Sequence, residues 1–385
     1  MASGRLLRPA EVALVLLGAL AFATVPFAPS SHAQIATTTV SVGLFPFSAA
    51  YDSFKGEVFV ANFLGSTVSV ISDTTNAVVA TVKVGTAPES IAYDSFKGEI
   101  FVANYNDNTT SIISDATNLV VATLNVRAGP TGIAYDSGKG EVFVANNGNN
   151  TVSVISDATD AVVATINVGA GPWGMAYDPA KGEVFVANNA NGTVSIISDN
   201  TNAVVATVSV GVGPTGMVYD SSKSEVFVTN IDSNTVSVIS DAARAVVDTV
   251  NVALFPWGIA YDSSMGEVFV SNGNNNSLSV ISDATDAVLS TVSVGSVPRG
   301  IAYDSAKGEV FVTNSYDNTV SVISLTGPTS TTTSQGGIST TTASVSQAQT
   351  PYTVAAAVVA IVLIASALGL LVYRRTQRKE PAEVR

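Results

Sequence analysis

The chain has 385 residues, 46% of them hydrophobic, with a formal net charge of −13, no cysteine and a single histidine, His32. Without cysteine there is no disulfide framework. With His32 assigned to a leader, the rest lacks the usual zinc, copper and haem ligands and any histidine base for a serine nucleophile.

Residues 1–33 read as a secretory signal. Arg5 and Arg8 precede the apolar run EVALVLLGALAFATV, followed by a helix-breaking PFAPSS and a small-residue end at SSHAQ. Cleavage after Ala33 removes the histidine. An uncleaved N-terminal anchor is the competing reading.

The stretch YDSFKGEVFVAN at 51–62 returns as YDSFKGEIFVAN at 93–104. The Tyr-Asp pair recurs at Tyr51, Tyr93, Tyr135, Tyr177, Tyr219, Tyr261 and Tyr303, always 42 residues apart. An unbroken period of this size marks a repeat architecture. No repeat carries an insertion, so function is expected on short loops.

One repeat, residues 88–126, contains four apolar runs: PESIAYD, EIFVANY, TSIIS and LVVATLNV. The turn segments SFKG, NDNT and DATN separate them. Short β-rich runs joined by tight turns predict a four-stranded antiparallel meander. In the second run Val58, Phe59, Val60 and Ala61 are all apolar, so both faces of the sheet are expected to be covered. The fourth run mixes Thr, Asn and Ser with Val, as an outer edge would.

The ends are complementary. The last repeat stops at VSVIS, 320–324, without a fourth strand. TVSVG at 39–43 is an orphan copy of that strand, 42 residues before TVKVG at 81–85. The prediction is an all-β seven-bladed β-propeller of 42-residue four-stranded repeats over residues 36–325, closed by the N-terminal strand. An open β-solenoid would not need complementary ends.

The motifs FVTN (227–230, 311–314), FVAN and FVSN (269–272), with TVSVIS, VVATINVG and GPTGIAYD, resemble the YVTN β-propeller repeat over about 290 residues. The resemblance implies a seven-bladed propeller of a kind common in archaeal surface-layer and other secreted proteins. The fold also hosts lactonase-like and quinoprotein enzymes, so it leaves activity open.

Residues present in every repeat are assigned to the fold. These are the Tyr-Asp pairs, the set Glu57, Glu99, Glu141, Glu183, Glu225, Glu267 and Glu309, and the set Asp73, Asp115, Asp157, Asp199, Asp241 and Asp283. The last set is expected to accept backbone N–H groups in the turn between strands three and four.

Residues that break the symmetry are the site candidates. After the proline of the link between repeats come Phe47, Glu89, Thr131, Trp173, Thr215, Trp257 and Arg299. Phe45 and Phe255 precede two of the prolines. Phe63, Tyr105, Ile231 and Tyr316 come from the other loop of the same face. Aromatics and an arginine on exposed loops are what binding sites use. The candidate ligand-binding set is therefore Phe45, Phe47, Glu89, Tyr105, Trp173, Phe255, Trp257, Arg299 and Tyr316. The competing reading is that Trp173 and Trp257 only close the channel top.

Asn108, Asn149, Asn191 and Asn275 stand in glycosylation-acceptor triplets on that face. The segments NYNDN, NGNNN and NSYDN offer hard oxygen ligands but lack the spacing of a known calcium loop, and read as turn chemistry. No metal, cofactor or catalytic residue is assigned.

Residues 326–351 hold 14 Ser or Thr among 26 and have no apolar period. They read as a stalk of on the order of 30 Å. Residues 352–373, YTVAAAVVAIVLIASALGLLVY, are 22 uncharged residues, long enough as a helix to span roughly 33 Å. The basic tail 374–385 begins RRTQRKE, which orients the tail inward and the propeller outward.

Residues 34–351 carry 27 acidic and 10 basic side chains, a net of −17. That balance argues against nucleic acid as a partner. The overall expectation is a cell-surface, single-pass membrane propeller that binds a protein or glycan. A surface-lattice subunit is the alternative. A histidine-free hydrolase is the weaker one, since Glu89 is the sole acid at the link position.

Overall fold

Four β-rich runs per repeat, each bounded by turn residues, fold as four antiparallel strands. The computed structural model describes residues 35–325. The signal at 1–33, the stalk at 326–351, the apolar segment at 352–373 and the tail at 374–385 lie outside the described residues. Among the described residues no helix is long and apolar enough to cross a membrane.

Seven four-stranded sheets form the blades of a propeller. Blade 1 comprises Pro46–Asp52, Glu57–Asn62, Thr67–Ser72 and Ala77–Lys83. Blades 2 to 6 repeat it in order. Blade 7 takes three strands from the C-terminal end, Pro298–Asp304, Glu309–Asn314 and Thr319–Ser324, and its outer strand from Ile35–Ser41. Val40 pairs with Val320 and Ser41 with Thr319. The orphan strand therefore closes the ring as its sequence predicts.

The core lies between blades. Val58, Phe59, Val60 and Ala61 are all fully buried, because the pleat sends alternate residues to opposite faces and each face meets a neighbour. Phe59 and Ala61 pack with Ile100, Val102 and Ile113 of blade 2. Val58 and Val60 face the other way, toward Phe311, Val320 and Val322 of blade 7. The same exchange recurs at all seven interfaces. The outer strands are mostly exposed, with Val79, Val121, Val163, Val205 and Val247 forming an apolar girdle.

On the face formed by the turns, the aspartate of each Tyr-Asp pair caps the turn that follows. Asp52 Oδ1 accepts N–H bonds from Phe54 at 2.9 Å and Lys55 at 3.1 Å. The second aspartate set was expected to take backbone amides. Asp73 instead accepts the Tyr51 hydroxyl at 3.2 Å and the Thr74 hydroxyl at 3.0 Å. It also pairs with Lys307 of blade 7 at 3.1 Å. Asp115 and Asp157 do take a backbone amide, from Ala116 and Ala158, while the first set caps its turn in every blade because those carboxylates sit at the turn's entry, within reach of the next two N–H groups.

The turn lysine reaches this second aspartate of the following blade throughout most of the ring. Lys97 donates to the Asp157 carbonyl at 2.6 Å, and Lys181 to the Asp241 carboxylate at 2.6 Å. Between blades 6 and 7 both partners change together. Met265 stands at the lysine position and Leu325 at the aspartate position, so a polar clamp gives way to two apolar residues. Each of the repeated glutamates opens its second strand, as expected.

Candidate functional site

Seven inner strands begin at the link prolines and converge on the propeller axis. They run so close that a Cβ on Gly174 would stand 1.9 Å from the Thr215 carbonyl oxygen, so only glycine is accommodated there. The residue after each proline belongs to the strand, and all of them except Arg299 line the channel mouth. Phe47, Glu89, Thr131, Trp173, Thr215 and Trp257 line one cavity of about 200 Å³.

The sequence places these candidates on exposed loops, and the structure corrects that. Phe47, Glu89, Thr131 and Thr215 are buried, while Trp173, Trp257 and Arg299 are half-buried. Convergence of seven strands brings their side chains against one another before solvent can reach them.

Most of the candidates form one assembly. Trp173 and Trp257 meet edge to face at 5.7 Å, across the blade that carries the small Thr215. Trp257 meets Phe47 at 5.5 Å and Phe255 at 5.7 Å. Phe45 lies 6.4 Å from Phe47 and 5.7 Å from Tyr316. Phe63, at 5.5 Å from Phe47, completes the cluster. Tyr105 stands apart, packed beside Gly129 of the next link. Ile231 is buried against Gly213.

Arg299 is stacked at the centre of this cluster. Its guanidinium carbon lies 4.1 Å from the Trp257 ring centre, 4.6 Å from Phe47 and 5.4 Å from Phe45. Burial pushes its pKa down, opposed by Glu89 and Tyr316. Its Nε is buried without a hydrogen-bond partner.

Glu89 has 4% of its surface exposed and makes no hydrogen bond or ion pair with any described residue. Burial pushes its carboxyl up to about 8, and the Arg299 charge only partly opposes this. Isolated buried charges are unfavourable, so the group is held mainly neutral at pH 7.

Phe45 and Phe255 adopt φ of 54° and 63°. Blades 3, 4 and 5 place Gly129, Gly171 and Gly213 at the equivalent position. Ala87 and Val297 share the left-handed conformation in blades 2 and 7, so the repeat imposes a positive φ here in all seven blades, and the strain at Phe45 and Phe255 is a cost of the fold.

The glycosylation-type asparagines have a structural occupation. Asn149 Oδ1 accepts the Ala128 N–H at 2.6 Å, and Asn275 Oδ1 that of Leu254 at 2.7 Å. Asn191 does the same for Ala170. Asp107, Ser233 and Asp317 serve identically in other blades, so capping the link accounts for an acceptor there. Asn108 sits one position later, at φ 58°, and caps Gly129 at 2.9 Å. Asn276 and Asn318 share that left-handed turn role. Among the described residues no cluster of three His, Cys, Asp or Glu stands in a metal-binding arrangement.

Residues 254–281, from the link before blade 6 to its third strand, match the NHL repeat. No curated protein shows significant similarity to the chain. Among solved structures, the hydrazine synthase of Kuenenia stuttgartiensis is similar in fold, with a TM-score of 0.66 and 18% identity. The match covers 76% of this chain and 99% of that one. Likeness at this identity carries the architecture alone. Together with the seven sheets and their register, these matches make the chain a β-propeller repeat protein.

Proposed function

We propose that this protein is a membrane-anchored surface propeller that binds a protein or glycan through the channel mouth on its link face. The observation that carries the reading is the asymmetric cluster around Arg299. Seven aromatic rings and one guanidinium gather at positions where the residue differs from blade to blade. Rigid aromatics and arginine are the side chains that contribute most to binding hot spots. In this reading the propeller binds and does not catalyse. The leader-like N-terminus, the Ser/Thr-rich segment, the uncharged stretch 352–373 and the basic tail support a surface location.

The test is to pass the purified chain over arrays of defined glycans and surface peptides. Saturable binding supports the reading, and its absence across both arrays contradicts it.

The girdle of half-exposed valines on the outer strands favours a second reading, a surface-lattice subunit whose blades meet side by side. Ordered sheets of the purified chain in electron micrographs, lost when Val121 and Val163 become Lys, would establish it.

A further inference from the structure

Both connections to the rest of the chain leave the propeller at one place. Ile35 pairs with Ser324 at the edge of blade 7. The Leu325 N–H donates to the Gly308 carbonyl in that blade's turn at 2.9 Å. These residues lie on the turn face, opposite the channel mouth. The turns of the next two blades are laced to this one. Lys307 of blade 7 pairs with Asp73 of blade 1 at 3.1 Å, and Lys55 of blade 1 donates to the Asp115 carbonyl of blade 2.

On blades 1 and 2 apolar residues break the repeat. Phe54 and Phe96 are 87% and 88% exposed, where the other five blades place Gly138, Ala180, Ser222, Ser264 and Ala306. Leu119, exposed as well, opens the outer strand of blade 2 on this face, where blades 1 and 3 to 6 have alanine. The turns beneath the rings are pinned. The Phe54 and Phe96 N–H groups donate to Asp52 and Asp94 Oδ1 at 2.9 and 2.8 Å. Two aromatic rings thus stand in water on rigid bases, which is unfavourable unless something covers them.

We propose that the turn face of blades 1 and 2 docks on a bilayer surface, with Phe54, Phe96 and Leu119 entering the boundary between headgroups and acyl chains. The inference rests on the membrane-anchored reading above and adds which face meets the lipid.

The exit point and the local charge both select lipid. Residues 326–351, read as a stalk on the order of 30 Å, lead from the turn face to the uncharged stretch 352–373. A tether of that length raises the local concentration of the partner, so a small apolar contact suffices. The carboxylates of these turns are withdrawn: Asp52, Asp73, Asp94 and Asp115 are all buried. Asn76 and Asn118 stand where blades 3 and 6 carry Asp160 and Asp286. What remains exposed on the turns is serine, threonine, alanine, the two phenylalanines and the lysines Lys55 and Lys97. Rings flanked by lysines suit a headgroup boundary, because lysine stems lie along apolar surface while the ammonium stays at phosphate level.

The chain has no cysteine, so single labels report one face at a time. Full chains with Ser95→Cys beside Phe96, or Leu64→Cys on the link face, are labelled with a fluorophore. They are reconstituted in phosphatidylcholine vesicles with and without a doxyl-lipid quencher. The proposal expects quenching roughly threefold or more stronger for Ser95→Cys than for Leu64→Cys, and its loss when Phe54→Ser and Phe96→Ser are added. Ser222 and Ser264 occupy the same turn position, so the doubly substituted chain keeps its fold, checked by circular dichroism. Flotation with the vesicles separates this inference from the anchor. Flotation with equal quenching at both labels, or with quenching unchanged by the serine substitutions, overturns the docking and leaves the anchor standing. A wild-type chain that does not float overturns both. Self-association in detergent that depends on Phe54 and Phe96, without lipid quenching, overturns the docking in favour of a second copy.

Discussion

The Arg299 guanidinium carbon lies 4.1 Å from the centre of the Trp257 ring, and Phe47 lies 4.6 Å away on the next blade. Blade 7 thus places a cation between aromatics from blades 6 and 1. Replacing Arg299 with Met should lower stability by about 0.5–2 kcal/mol and shift tryptophan emission. Arg299→Lys should recover less than half of the loss, because an ammonium lacks the planar face that stacks. Denaturant titration followed by fluorescence and circular dichroism reads both effects.

Glu89 predicts a pH signature. Its folded pKa is raised from 4.5 to about 8, so between those values the folded state holds a proton that the unfolded chain releases. Stability contributed by this group therefore falls as pH rises, by about 1.4 kcal/mol per unit at most, and levels off above pH 8. The difference between Glu89→Gln and wild type should be near zero at pH 4.5 and reach a few kcal/mol in favour of the variant at pH 8.5. Urea midpoints at four pH values measure it, and a pH-independent difference would contradict the account.

Gly140 and Gly308 have the same turn conformation, with φ of 66° and 65°. A Cβ on Gly140 would stand 2.5 Å from Asp157 Oδ2, whereas one on Gly308 meets nothing within 4 Å. Alanine at Gly308 should cost about 1 kcal/mol from backbone strain alone, and alanine at Gly140 clearly more. Ser224 occupies the equivalent place at φ 58°, so the Gly140 variant should still fold.

The paired change at Met265 and Leu325 predicts coupling. Leu325→Asp alone should destabilise, because Leu325 packs against the apolar cluster between blades 6 and 7. Adding Met265→Lys should restore about 0.5 kcal/mol beyond additivity, as expected for a half-exposed pair. A double-mutant cycle by chemical denaturation checks this.

The fold was legible because its signals are local and periodic. The Tyr-Asp spacing sets the blade, and the orphan strand before Phe45 shows how the ring closes. The angular neighbours at the mouth were legible too, since Trp257, Arg299 and Phe47 occupy consecutive blades of a circle. What the sequence did not show was burial. Glu89 and Phe47 read as loop residues, because their enclosure depends on seven strands converging and on the small Thr215 letting Trp173 reach Trp257. The role of Asn149 was hidden for a related reason, since its partner amide at Ala128 is 21 residues away.

The central claim is that ligands meet the link face. Its most direct test compares array binding by wild type, by Trp257→Ala, and by a Phe54→Ala, Phe96→Ala variant whose changed side chains are exposed on the opposite face. All three should match in circular dichroism. The account predicts that Trp257→Ala loses at least tenfold in affinity while the Phe54, Phe96 variant binds as wild type does. Undiminished binding by Trp257→Ala, with loss in the Phe54, Phe96 variant, would contradict it and move the site to the turn face.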